Sequence, residues 1–188
     1  MPTYGGCDEL CFYNGSKANC FCSHGYLDGD DNKTCRKYEN KLFISRRESI
    51  ERINLDGDKN SSLVLSHNLH LQNVVALAYD FKRHLIYYSD VKLNAICVCD
   101  FIGQTFIKLI TDQPIVEGLA FDPQNRHLFW TLNGEAEIRS FDLNKLDDGT
   151  ITTLDFQNSV TKILSLKKGQ DKLRAVVVEP CLNMLYYS

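Results

Sequence analysis

Long hydrophobic runs, clustered basic residues and catalytic signatures are all missing from this chain of 188 residues. No apolar stretch approaches the roughly 18–20 residues that a membrane-spanning helix requires. Met1 is followed by Pro-Thr-Tyr-Gly-Gly rather than by a basic and then an apolar segment, so a secretion signal or membrane anchor is expected only outside this stretch. The longest basic clusters are the pairs Arg46-Arg47 and Lys167-Lys168, and the formal charge is -3, which leaves no footprint for nucleic acid. There is no Gly-x-Ser-x-Gly elbow, no His-Glu-x-x-His and no phosphate-cradling glycine loop. His24, His67, His70, His84 and His127 are scattered rather than gathered around a nucleophile. No catalytic residue, metal site or cofactor is expected.

Cysteine is the first thing present in excess. Cys7, Cys11, Cys20, Cys22 and Cys35 all fall in the first 35 residues, in a stretch with almost no apolar core. Such a cluster reads as a disulfide-stapled module from an oxidising compartment. The competing zinc reading is disfavoured because C-x3-C-x8-C-x-C-x12-C lacks paired C-x2-C knuckles. Sequons at Asn14, Asn32 and Asn60, in polar turn-like stretches, mark candidate glycosylation sites and favour an extracellular setting.

The second thing present is repetition. VVALAYDFKRHLIYYSD (74–90), VEGLAFDPQNRHLFWTL (116–132) and LRAVVVEPCLNMLYYS (173–188) share one frame. An apolar run ends in Asp80, Asp122 or Glu179, and seven positions later comes an aromatic pair: Tyr87-Tyr88, Phe129-Trp130 or Tyr186-Tyr187. A weaker copy, LFIS, occupies 42–45. The spacing, roughly 40–60 residues, is in or near the range of β-propeller blades. The best-preserved copy predicts four short strands, over 74–79, 84–89, 95–100 and 105–110, with no room for a helix. Blade sheets stack face to face, so Phe101, Phe106, Phe129, Trp130 and Phe141 are expected to pack between them. Asp80 and Asp122 recur once per blade at strand ends, as turn-capping carboxylates should. Cys97 and Cys99, two apart on a strand, share one face; they are buried packing thiols or one of them bridges to Cys181. The third interval is longer, and its excess near 143–172 is expected to be a loop between outer strands.

Two resemblances organise these features. Residues 5–35 resemble most of an epidermal growth factor-like module of the kind found in low-density lipoprotein receptor family proteins. The resemblance implies pairing of Cys7 with Cys20 and of Cys22 with Cys35, with the partner of Cys11 upstream of Met1. The aromatic pair followed by Ser or Thr resembles the Tyr-Trp-Thr-Asp repeat of that family's six-bladed propellers. Tyr87-Tyr88-Ser89-Asp90 keeps all four chemical types, Phe129-Trp130-Thr131 is followed by Leu132 instead of an acid, and Tyr186-Tyr187-Ser188 reaches the third position. The chain is therefore expected to be a mainly β fragment. An incomplete growth factor-like module (1–36) precedes an incomplete propeller of about three to four blades (37–188). Alone, such an open stack is expected to be poorly soluble. The resemblance to low-density lipoprotein receptor-related proteins implies an extracellular part of a single-pass cell-surface receptor that passes through endosomes. It would bind protein or lipoprotein ligands for endocytosis, with the propeller as scaffold and as an aid to acid-dependent release. His67, His70, His84 and His127 are of the residue type suited to such a switch. The alternatives are a signalling co-receptor of the same architecture and a nidogen-like matrix protein.

Overall fold

A computed structural model describes residues 10–14, 17–21, 26–28, 33–37, 41–55, 63–65, 71–147, 159–167 and 172–188. The chain forms two compact units, residues 1–42 with 53–62, and residues 43–52 with 63–188.

The first unit contains two small antiparallel hairpins. Strands β1 (Leu10–Asn14) and β2 (Lys17–Phe21) place Cys11 opposite Cys20, and β3 (Tyr26–Asp28) pairs with β4 (Cys35–Lys37). Cys20 and Cys35 are disulfide-bonded; Cys7 and Cys22, the partners implied by the resemblance, lie outside the described residues. Asn14 ends β1, whereas Asn32 and Asn60 also lie outside them.

The second unit carries the repeats. Strands β5 (Lys41–Ser45), β6 (Ile50–Asn54) and β7 (Leu63–Val64) form a three-stranded sheet. The best repeat becomes a four-stranded meander of β8 (Val74–Asp80), β9 (Leu85–Asp90), β10 (Ala95–Asp100) and β11 (Phe106–Ile110). The next becomes β12 (Val116–Asp122), β13 (His127–Leu132), β14 (Glu137–Asp142) and, after a one-turn helix α1 (Asn144–Asp147), β15 (Thr161–Ser165). Most of the excess of the third interval falls between the outer strands β14 and β15, although residues 148–158, like 168–171 beyond β15, lie outside the described residues. A hairpin of β16 (Val176–Glu179) and β17 (Met184–Tyr187) follows.

Two apolar cores explain the order of these sheets. One joins Phe43, Ile50 and Leu65 to Ile86, Tyr88, Cys97, Cys99 and Phe101. The other joins Ala76, Tyr87, Ile96 and Ile110 to Leu119, Leu128, Trp130 and Phe141. The β8–β11 sheet therefore buries apolar residues on both faces, and along β9 and β10 alternate residues divide between the cores. Phe106 packs against the first core and Phe129 lies half-buried. Cys97 and Cys99 are both free and buried, so neither bridges to Cys181.

The innermost strands approach closely enough to require glycine. A Cβ at Gly118 would press on the Arg174 carbonyl oxygen and lie 3.0 Å from the Val176 nitrogen. Both are backbone atoms that cannot swing aside. Gly118→Ala should cost about 1–3 kcal/mol by overpacking, read as a lowered denaturant midpoint. Gly134→Ala, where a Cβ meets nothing within 4 Å, should be close to neutral. Equal effects at the two positions would show that strands β12 and β16 are not in this contact.

Candidate functional site

The repeated aromatic pair sits on β9 and β13, and strand geometry sends its two rings to opposite faces. Tyr87 enters the core shared with β12–β14 and lies 5.6 Å from the Phe121 ring, while Tyr88 enters the core shared with β5–β7. In the next sheet Trp130 points back into the core shared with β8–β11. Phe129 borders a cavity of about 400 Å³ that Val178, Met184 and Leu185 also line. The third copy differs: Tyr186 and Tyr187 are 52% and 49% exposed.

The hydroxyl after the pair links neighbouring sheets. Ser89 Oγ accepts from the Ala76 amide of its own sheet at 3.0 Å and donates to the Val116 carbonyl of the next at 3.0 Å. Thr131 Oγ1 repeats this, accepting from the Gly118 amide at 2.9 Å and donating to the Arg174 carbonyl at 3.0 Å. One small hydroxyl thereby satisfies two backbone groups that would otherwise be buried without partners. Ser188 occupies the same repeat position and is exposed; its backbone amide donates to the Ala175 carbonyl.

The acid of the motif closes the connector between sheets. Asp90 is 1% exposed and accepts from the amides of Gln72 (2.7 Å), Asn73 (3.1 Å), Lys92 (3.1 Å) and Leu93 (3.2 Å). It pins both its own turn and the segment entering β8. In the following sheet Leu132 stands at this position, and three other residues change with it. Pro114, in the entering segment, has no amide to donate. The carboxylate moves across the hairpin: Ala95 is paired with Asp90, but Glu137 is paired with Leu132. Gln113 takes over the pinning, its side-chain oxygen accepting from Trp130 Nε1 (3.1 Å) and Arg139 (3.2 Å) while its Nε2 donates to the Thr111 carbonyl (3.2 Å). Ile115 is left with φ of 39°, a strained value for a β-branched residue. Burial opposes the charge of Glu137, but its bonds to Lys162 and Arg139 outweigh this and hold its carboxyl below the ordinary glutamate range.

The carboxylates at the strand ends do cap turns. Asp80 accepts from the Arg83 amide, and Asp122 from the amides of Gln124 and Asn125. Asp80 is also 2% exposed and pairs at 2.6 Å with Arg126 of the next sheet, whose guanidinium lies 5.7 Å from the Phe121 ring centre. Arg126 had no sequence signal. It occupies the left-handed turn position (φ 55°) that His84 (55°) and Asn183 (51°) fill in the flanking repeats. Asp100, part-exposed, accepts from Thr105 Oγ1 and from the amides of Ile102, Gln104 and Thr105; these bonds outweigh partial burial and lower its carboxyl's pKa.

The site residues thus divide sharply. Those of the repeat motif are brought together as a sheet-stacking device. The described histidines are not: His84 packs edge-on against Phe101, whereas His127 donates from Nδ1 to the Asn125 carbonyl and stacks on Phe129. His24, His67 and His70 lie outside the described residues. Among the described residues no group of three or more His, Cys, Asp or Glu side chains is placed to hold a metal ion, and no helix is long and apolar enough to cross a membrane.

Stacked antiparallel meanders tied by a repeated aromatic pair and hydroxyl define propeller blades. The relatives agree. Low-density lipoprotein receptor-related protein 4 of Mus musculus is 36% identical over 107 residues, covering 56% of this chain and 6% of that protein. Low-density lipoprotein receptor-related protein 5 of Homo sapiens is 28% identical over 194 residues, covering all of this chain and 11% of that protein. The chain therefore spans a small part of these relatives, and it is homologous to low-density lipoprotein receptor-related proteins. No family profile matches it. Among solved structures, one from a nidogen/laminin complex superposes with a TM-score of 0.60 at 22% identity, over 78% of this chain and 52% of that one. A catalytically inactive virginiamycin B lyase from Staphylococcus aureus superposes with a TM-score of 0.55 at 12% identity, over 87% of this chain and 47% of that one. At these identities the structural likeness concerns the fold alone.

Thr131→Val removes the hydroxyl and strands the buried Gly118 amide and the part-buried Arg174 carbonyl, so it should cost about 1–3 kcal/mol, while Thr131→Ser keeps the bonds and most of the stability. A valine variant as stable as the serine variant would remove the linking role. The pH response also follows. A carboxyl whose folded pKa is depressed stabilises above its unfolded value and loses that contribution as pH falls through the folded one. Asp100 and Glu137 should therefore leave stability flat between pH 5 and 6 and erode it below about pH 4. Denaturant titrations of Glu137→Gln and Asp100→Asn against the parent chain, from pH 7 to pH 3, check this: a parent advantage that vanishes by pH 5 contradicts it.

Proposed function

We propose that this chain is part of the ectodomain of a cell-surface receptor of the low-density lipoprotein receptor-related type. Its blades act as a rigid scaffold that presents loops to extracellular protein or lipoprotein ligands for uptake. The observation that carries this reading is the 36% identity over 107 residues to a low-density lipoprotein receptor-related protein, in a chain whose repeat-motif residues serve stacking. Residues 1–36 are read as a growth factor-like module preceding the blades, with Cys7–Cys20 and Cys22–Cys35 bridges. The two hairpins and the disulfide-bonded Cys20 and Cys35 support that reading. The sequons at Asn14, Asn32 and Asn60 are the glycosylation sites of the chain.

Acid-dependent release belongs to the same proposal. Glu137 and Asp100 have lowered carboxyl pKa values, so neither supplies a switch at endosomal pH. His84, in the turn before β9, and His127, the first residue of β13, are the described residues of the right type.

The test uses the full-length protein that contains this chain, tagged extracellularly and expressed on cultured cells. Uptake of surface-bound antibody into acidic vesicles supports an endocytic receptor. Surface retention with ligand-driven signalling favours the co-receptor reading, and deposition into the matrix without a membrane fraction favours the nidogen-like one. In the receptor outcome, the double variant His84→Gln, His127→Gln should retain bound ligand at pH 5–6 at least threefold better than the parent. Equal release would eliminate these two histidines.

A further inference from the structure

Strand β10 carries two thiols outside the repeat motif. Cys97 and Cys99 are free and 0% and 1% exposed. Both face the core shared with the β5–β7 sheet. Burial pushes both thiols up to about 12, with the charge of Asp90 adding to the effect at Cys97 and that of Asp100 at Cys99. Closed in this way they are inert, because the thiolate is the nucleophile.

Their cover is thin. From the β5–β7 side the core includes Phe43, Ile50 and Leu65, on or beside strands of five, five and two residues, and the ties to the neighbouring sheet are the Phe43 ring against Tyr79 and Phe101, an Arg52 bond to the Phe101 carbonyl and a Val74 amide bond to the Arg47 carbonyl. The Tyr88 hydroxyl, beside the Cys97 sulfur, is buried without a well-formed hydrogen bond, which weakens the packing locally. A small sheet held by few buried side chains opens more readily than the core of its protein. Meanwhile Cys20 and Cys35 of the same chain are each engaged in a disulfide, so one chain holds both reduced and oxidised sulfur.

We propose that Cys97 and Cys99 form a gated thiol-modification site, whose gate is the β5–β7 sheet and whose substrate is a small-molecule disulfide. When the sheet lifts, a cysteine loses its proton to solvent and the thiolate attacks one sulfur of the disulfide. A mixed disulfide forms, and the second sulfur departs as a thiolate that takes up a proton. The added group does not fit beneath Phe43 and Ile50, so modification holds the sheet open.

The whole chain is treated with 4,4′-dithiodipyridine in native buffer, sites are assigned by peptide mass spectrometry and by Cys97→Ser and Cys99→Ser, and Trp130 emission is followed in parallel. Trp130 is the single tryptophan and lies in the other core, so it reports global loss of structure independently. Modification of both thiols at least a hundredfold slower than a free peptide thiol, with native Trp130 emission, is expected. Phe43→Ala should accelerate it at least tenfold without changing that emission. Ile50→Val, a milder opening of about 0.5–1.5 kcal/mol or roughly two- to twelvefold, serves if the alanine variant does not fold. Three results overturn the proposal: reaction at the free-thiol rate, reaction only in step with loss of Trp130 emission, or rates indifferent to both cover variants.

Discussion

A sheet stacked between two others has no solvent-facing side, and most of what is unusual in this chain follows from that constraint. An ordinary amphipathic strand alternates apolar and polar residues. The β8–β11 sheet instead needs apolar groups at consecutive positions, because each successive side chain enters a different core. Tyr87 and Tyr88 are adjacent for that reason, as are Ile96 and Cys97. Burial on both faces also removes water from the backbone of the inner strands. Their amides and carbonyls must then find partners across the gap between sheets. Ser89 and Thr131 meet that need with a single hydroxyl each, which explains why a small polar residue follows two large rings.

The same constraint governs the connectors. A chain leaving the outer strand of one sheet must return to the innermost strand of the next, and its turn has to be held against the stack. Asp90 does this with an acid and four amides. In the next sheet Leu132, Pro114, Gln113 and Glu137 do it together. The exchange shows that the motif's acid is one solution to a mechanical requirement rather than a chemical group in its own right. It also concentrates strain at Ile115, whose side chain is 45% exposed. Strained, exposed residues at element junctions are where function tends to be placed, and loops at such edges are the part of a propeller free to vary.

Much of this was legible in the sequence, because strands and turns are local. The meander over 74–110 is readable to within a residue or two from its apolar runs and turn residues, and so is the shared face of Cys97 and Cys99. What escaped was set by neighbours in space. Arg126 reads as an exposed turn residue until the next sheet places it on Asp80 at 2.6 Å. Gly118 reads as a weak point in a strand until the Arg174 backbone arrives beside it. Leu132 reads as a lost motif position, because nothing local announces that Glu137 and Gln113 have taken up its work. The scaffold was readable, and the compensations within it were not.

The β16–β17 hairpin supplies the converse of the opening constraint. Its repeat matches the others in sequence, yet Val177, Leu182, Met184, Tyr186 and Tyr187 are between 47% and 67% exposed. The equivalent rings Tyr87, Tyr88 and Trp130 are all within 2% of full burial. Identical residue types thus reside in a dry core or against water according to whether a second sheet covers them. The aromatic pair by itself therefore specifies a face and not a burial state. On the connector 111–115, by contrast, Gln113 is buried in the stack while the residues around it are exposed.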